Sequence, residues 1–209
     1  MFNKFQSLVG NKEHIILVAT ELFKNYGIKS VTMDTLANQL GISKRTIYEV
    51  FSDKDELLMA VLTNMAYQQK ELINRVIDES ENSIVAIFRM LEFNRNNFQT
   101  MSPAFQSDLK KYHYDVLIKN AENIEMPDYR NHFQIIETGV KEGFFRKDIN
   151  RDLVNRCLYY LGRSIMDNDL FPYELFSRRD VIRNIFVNYL RGISTPKGLV
   201  LINKLEKDF

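Results

Sequence analysis

The sequence is poor in cysteine, in proline and glycine, in net charge and in long apolar runs, and each scarcity excludes something. One cysteine, Cys157, stands among 209 residues. A single cysteine forms no disulfide within its chain, and no Cys/His spacing marks a zinc site, so neither a metal nor a cofactor is expected. Its plainest role is that of a small apolar residue on a helix face. Only eight glycines and four prolines interrupt the chain, which favours long regular elements. The longest apolar run, Leu57–Leu62, has six residues, whereas a membrane span needs roughly 20. Met1–Gly10 lacks the apolar stretch of a secretion signal, so a cytoplasmic protein is expected. Lys and Arg number 28 against 27 Asp and Glu, a net charge of +1. That argues against a polybasic, non-specific nucleic-acid binder. Within the first 60 residues Lys4, Lys12, Lys24, Lys29, Lys44, Arg45 and Lys54 are balanced by Glu13, Glu21, Asp34, Glu49, Asp53, Asp55 and Glu56. Any contact with DNA must therefore come from a local cationic tip.

What is present is helical periodicity along almost the whole chain. Ile15, Ala19, Leu22, Phe23 and Tyr26 share one face, and Gly27 is placed to stop that helix. Short helices are predicted over about Met33–Leu40 and Lys44–Phe51. A long helix from near Lys54 carries Leu58, Val61, Leu62, Met65, Leu72, Ile73 and Val76. Ser52 with Asp55 and Asp53 with Glu56 read as its cap pairs. Ile84, Phe88 and Leu91 mark another helix. Ser102-Pro103 opens one more, serine as cap and proline in the first turn. Pro127 opens a helix with Phe133, Ile136 and Val140 that ends near Gly143. Two further stripes follow, Val154 to Ile165 and Ile182 to Ile193, and a Thr-Pro-Lys-Gly break at 195–198 sets off a short last helix. No alternating segment is long enough for a strand, so the fold class is all-α.

Residues 33–51 are the informative segment. Leu36 and Ala37 lie on a first short helix that Gly41 ends. Ile42 fills the turn, Ser43 caps a second short helix, and Ile47 faces back from it. Steeply crossed helices need a residue as small as Ala37 at their contact. The turn favours a positive φ, which glycine adopts without Cβ strain. This is a helix-turn-helix pattern, whose second helix enters the DNA major groove.

The flanks strengthen it. Ala19, Glu21-Leu22-Phe23, Gly27, Thr32, Leu36-Ala37, Gly41, Ser43, Thr46, Tyr48, Phe51, Lys54 and Leu57 together resemble the N-terminal signature of the TetR family of transcriptional regulators. The resemblance implies a three-helix DNA-binding domain, 1–53, followed by a helical ligand-binding and dimerisation domain, 54–209. It implies that Thr32 caps the second helix and reaches a phosphate, and that Ser43 caps the recognition helix. Lys44 and Arg45 begin that helix, near base edges or phosphates. Thr46 and Tyr48 bind the DNA backbone, and Lys54 grips a phosphate from the flank. Helix N-termini attract anions, hydroxyl donors position a protein on phosphate, and arginine reads guanine bidentately. Where the family often has an aromatic and a histidine before Phe51, this chain has Glu49 and Val50. Glu49 either accepts from a cytosine amino group or repels phosphate and narrows the accepted operators. Val50 has no donor for DNA.

The resemblance further implies a dimer, paired through the helices near 151–167 and 178–191, that binds a palindromic operator and is released by a small molecule. Cys157 and Gly162 are small enough for close helix approach. The middle of the chain is aromatic: Phe88, Phe93, Phe98, Phe105, Tyr112, Tyr114 and Phe133. Such residues suit an apolar or aromatic ligand, with Arg89, Arg95, His113 or His132 to orient a polar group; ordinary core is the plainer reading for each. A protein-controlled architectural DNA binder is the competing reading, and a solid rather than hollow middle domain would favour it. An enzyme is not expected. The positions three before His14, His113 and His132 are Asn11, Lys110 and Tyr129, so the Glu-x-x-His pairs of a di-iron bundle are absent. Nor is there a phosphate-cradling glycine loop or a nucleophile elbow.

Overall fold

The structure, a computed structural model, describes residues 2–113, 115–116, 129–165 and 167–207, with side chains from Lys12 onward except those of 97–99 and 129–133. The described residues are helical, without a strand; one isolated antiparallel bridge joins Phe145 and Ser194. They divide into two compact units, 1–69 with 99–126, and 70–98 with 127–209. No described helix is long and apolar enough to cross a membrane.

The first unit opens with α1 (Phe2–Tyr26), which Gly27 ends at φ +84°. Next come α2 (Met33–Leu40), α3 (Lys44–Tyr48) and the first part of α4 (Lys54–Asp78). The core joins Ile15, Ala19 and Phe23 of α1 to Leu36 and Ala37 of α2, Ile47 of α3 and Phe51. Each large apolar side chain so buried contributes roughly 1.5–3 kcal/mol. Tyr26, expected on that face, is exposed: it stands in the last turn, beyond the packed stripe.

The predicted boundary at 53/54 falls inside this unit. Leu57, Leu58, Val61 and Leu62 of α4 bury their side chains in the same core, and Phe105 joins them from α6 (Pro103–Tyr112). Ser102 caps α6 as expected, its Oγ accepting from Phe105 N–H at 3.2 Å. The helix is stitched to the α1–α2 turn. Ser102 N–H donates to Lys24 O (2.8 Å) and Lys29 N–H to Asp108 Oδ2 (2.7 Å). A Cβ on Gly27 would come within 2.9 Å of Ala104 Cβ.

The second unit takes the end of α4, α5 (Ser83–Gln99), α7 (Tyr129–Lys141) and α8 (Arg151–Ser164). It ends with α9 (Arg178–Val181), a π-helical stretch (Ile182–Val187), α10 (Asn188–Gly192) and α11 (Pro196–Leu205). Its core includes Ile84, Phe88, Leu91, Ile136, Phe145, Leu158, Phe186 and Leu190. The 195–198 segment is a helix start rather than a break: Thr195 Oγ1 accepts from Gly198 N–H and Pro196 occupies the first turn. Gly162 faces its own chain, its missing Cβ 3.8 Å from Phe186.

Candidate nucleic-acid interface

The turn between α2 and α3 has the predicted chemistry. Gly41 sits at φ +65°, and a Cβ there would touch nothing within 4 Å. Glycine is required for its backbone conformation and not for space. Ile42 N–H returns to Ala37 O (3.1 Å) and Gly41 N–H to Asn38 O (3.2 Å), closing α2. Thr32 Oγ1 caps α2 by accepting from Thr35 N–H at 3.0 Å, and Ser43 Oγ caps α3 by accepting from Thr46 N–H at 3.1 Å. Each capping hydroxyl also pairs with a second hydroxyl, Thr32 with Thr35 (2.9 Å) and Ser43 with Thr46 (2.8 Å). Two hydroxyl pairs thus lie at the N-termini of two successive helices, where unpaired N–H groups favour anions.

While Ile47 is buried, the residues around it point outward. Thr32, Ser43, Lys44, Arg45 and Tyr48 are exposed, and Thr46 is half-buried. Tyr48 keeps 45% of its surface in solvent, so it is not consumed by packing on Phe51, which is buried. Lys44 Nζ bonds Asp34 Oδ2 at 2.7 Å, and that bond holds its pKa above the ordinary lysine value. Arg45 Nε lies 3.3 Å from Glu49 Oε1, with 89% of the arginine side chain exposed. Val50 is partly buried against the core of the unit.

Lys54 opens α4 and bonds within its own unit. Its ammonium donates to Ile28 O at 2.5 Å and lies 5.9 Å from the centre of the Phe23 ring. Burial lowers its pKa. The side chain ties the start of α4 to the α1–α2 turn. Sequence reasoning missed this tie and the Lys44–Asp34 pair, because both join residues with no local pattern between them. Of the two cap pairs expected at the start of α4, Asp53 with Glu56 forms, Asp53 Oδ1 accepting from Glu56 N–H (2.7 Å), whereas Ser52 bonds Glu56 rather than Asp55, its N–H and Oγ both donating to Glu56 Oε2 (2.6 and 2.7 Å). The Ser52 bonds hold the Glu56 carboxyl below its ordinary range.

The described residues among those expected around a ligand are divided between the two units. Phe105 belongs to the core of the first unit. Tyr112 is exposed at the end of α6, with Lys29 Nζ 4.8 Å from its ring centre. His113 Nδ1 meets Asp55 Oδ1 at 3.0 Å, also in the first unit. Phe88 is core in the second unit and Phe93 is half-buried on α5. The side chains of Phe98 and Phe133, and residues Tyr114 and His132, lie outside what the structure describes. Phe105, Tyr112 and His113 thus serve the helix-turn-helix unit, because α6 packs there. Among the described residues no cluster of His, Cys, Asp and Glu could hold a metal.

The model of the bacterial regulatory proteins of the tetR family matches residues 15–61, the span of this site. Over that span the chain is similar to the TetR family. The uncharacterized HTH-type transcriptional regulator YvaF of Bacillus subtilis is 34% identical over 104 residues, 49% of this chain and 54% of that protein. The chain thus spans about half of that relative's length. The HTH-type transcriptional repressor KstR2 of Rhodococcus jostii is 23% identical over 158 residues, 71% of this chain and 74% of that one. Among solved structures, a gamma-butyrolactone receptor (ArpA like protein) superposes with a TM-score of 0.62 at 18% identity, covering 97% of this chain and 100% of that one. At that identity the likeness is one of fold.

Proposed function

We propose that this chain is a TetR-family transcriptional regulator that represses by binding a palindromic operator as a homodimer and lets go when a small molecule binds. One observation carries the DNA-binding part. The tip formed by Thr32, Ser43, Lys44, Arg45, Thr46 and Tyr48 is the polar, outward side of two capped helices whose inward sides are fully used. Thr32, Ser43, Thr46 and Tyr48 donate to phosphates and set the register. Arg45 reads a base edge. Lys44, half-neutralised by Asp34, supplies phosphate charge once that pair opens. Lys54 acts behind this surface by fixing the α1–α2 turn, rather than as a direct phosphate grip.

The dimer reading draws support from α8, where Leu153 and Tyr160 lie two turns apart on one exposed face. A twofold pair would double the phosphate contacts of a head that carries little net charge. Repression and ligand release draw on the names of the relatives, a repressor and a butyrolactone receptor. A ligand can release DNA only by binding one of two dimer states better than the other. Helix α4 contributes 54–69 to the first unit and the rest to the second, so a tilt of α4 would alter the spacing of the two recognition helices from the roughly 34 Å of successive major grooves.

The test is footprinting on DNA upstream of the chain's own gene, with and without candidate metabolites. A dyad-symmetric protected site, released by one compound, is the expected result. Protection of a single asymmetric half-site would overturn the dimer, and no protected site at all would overturn the regulator.

A further inference from the structure

Arg178 opens α9 and keeps only 7% of its surface in solvent. Its Nη1 donates to Phe171 O at 2.6 Å, and its guanidinium carbon lies 3.7 Å from the centre of the Tyr173 ring. The other two nitrogens, Nε and Nη2, are wholly buried and have no acceptor among the described residues. These two share one edge of the planar guanidinium, and their N–H bonds run parallel. That edge is the fork that matches the two oxygens of a carboxylate. A buried cation with an unanswered fork is costly to keep. Asp180 takes the Ser177 hydroxyl (2.5 Å), and Asp167 takes the N–H groups of Asp169 and Leu170.

The segment covering Arg178, 167–177, is a series of turns without a helix. Hydrogen bonds within it run from Tyr173 N–H to Asn168 Oδ1 (2.9 Å) and from Leu175 and Phe176 N–H to Pro172 O (3.0 and 2.9 Å). Phe171 and Phe176 meet edge to face, with ring centres 6.4 Å apart. The segment that stacks on Arg178 thus carries three aromatic rings, Tyr173 against the guanidinium and Phe171 paired with Phe176.

We propose that Arg178 is the anchor of a binding site for a monocarboxylate with an apolar body, entered when the 167–177 segment lifts. The fork takes the carboxylate and the Phe171, Tyr173 and Phe176 rings take the body. One guanidinium balances one negative charge, and a planar fork suits two coplanar oxygens better than a phosphate, which asks for more donors. That this compound acts as the effector rests on the regulator reading above; that the site binds a carboxylate does not.

The test is calorimetry on the full chain with four probes: 4-phenylbutyrate, decanoate, 4-phenylbutan-1-ol and inorganic phosphate. At least one of the two acids should bind, with the alcohol and phosphate weaker by about tenfold or more. Arg178→Met should lose that affinity by a similar factor. Arg178→Lys, which keeps a cation but not the fork, should lose it too and decides the matter if Arg178→Met does not fold. A folded Arg178→Met protein should melt no lower than wild type without ligand, since an unpaired buried charge has been removed; a guanidinium needed only for structure would give a lower melting point. The site is overturned if neither acid binds, if acid and alcohol bind alike, or if the folded variants bind as wild type does. Binding of an acid that leaves the protein on its operator keeps the site and removes its effector role. A wild-type chain that binds the acid but no DNA removes the regulator and leaves the site standing.

Discussion

Arg45 of α3 and Glu49, the residue that caps its C-terminus, stand one helical turn apart, guanidinium to carboxylate at 3.3 Å. The residue proposed to read a base is thus paired with an acid on the proposed DNA-facing side. Exposed pairs of this kind are worth at most about 1 kcal/mol, so the arginine is restrained and not locked. Arg45→Ala should relax base preference and cost about 1–3 kcal/mol of operator affinity. Glu49→Gln should raise affinity for the operator and for unrelated duplexes alike. Fluorescence anisotropy against operator and point-substituted operators measures both; an unchanged sequence ranking in Arg45→Ala would remove Arg45 from base readout.

Tyr48 is exposed and bonds to nothing its own core requires. Tyr48→Ala should therefore weaken binding to every duplex while shifting stability by no more than about 0.5 kcal/mol. A parallel thermal melt separates the two effects, and a variant that binds as wild type does would remove the phenol from the contact set.

Lys54 offers a discrimination by salt. If its ammonium serves Ile28 O, Lys54→Met lowers stability by about 1–2 kcal/mol and leaves the slope of log Kd against log salt unaltered. A lysine seated on a phosphate would instead reduce that slope by about 1. Urea titrations and binding isotherms at several salt concentrations distinguish the two.

Two glycines should respond oppositely to relief of crowding. Gly41→Ala has open space but the wrong backbone, a cost of roughly 1–2 kcal/mol. A Cβ at Gly139 would overlap the Phe145 ring and fall 2.7 Å from Ser83 Oγ. Gly139→Ala should cost about 1–3 kcal/mol through overpacking, and Phe145→Leu in the same chain should recover part of it. No recovery in the double variant would count against the crowding account.

Glu56 supplies a pH dependence with a definite sign. Bonds from Ser52 hold its folded carboxyl below the ordinary value of 4.5. The unfolded chain therefore takes up the proton first on acidification. The stabilisation is complete above the ordinary value and disappears as pH falls through the lowered folded one. The gap in urea midpoint between wild type and Glu56→Gln should be open near neutrality and close on acidification; a gap that widens in acid would refute the assignment.

Much of the head could be read from residues alone, because its signals are local. Thr32, Ser43, Ser102 and Asp53 each cap a helix three residues ahead, and Gly41 and Gly27 adopt the positive φ that their places imply. The ligand-lining candidates were not legible in the same way. Phe105 has the composition of a pocket wall and the position of a core residue, and only the return of α6 onto α1 separates the two. Arg178 was invisible for the opposite reason. Nothing in its neighbours' identities announces that a cation in a polar-looking Ser-Arg-Arg-Asp stretch is folded away beneath Phe171 and Tyr173.

The π-helical stretch at 182–187 has a further implication for evolution and engineering. Its wider turn holds one residue more than an α-helix would over the same path. Deleting a single residue there would let the coil rewind as a regular α-helix and leave the residues beyond it on the faces they now occupy. Leu190, sealed in the interior, would stay there, whereas a second deletion would turn it aside by about 100°. The last helices should therefore accept the loss of one residue at 182–187 and no further change of length.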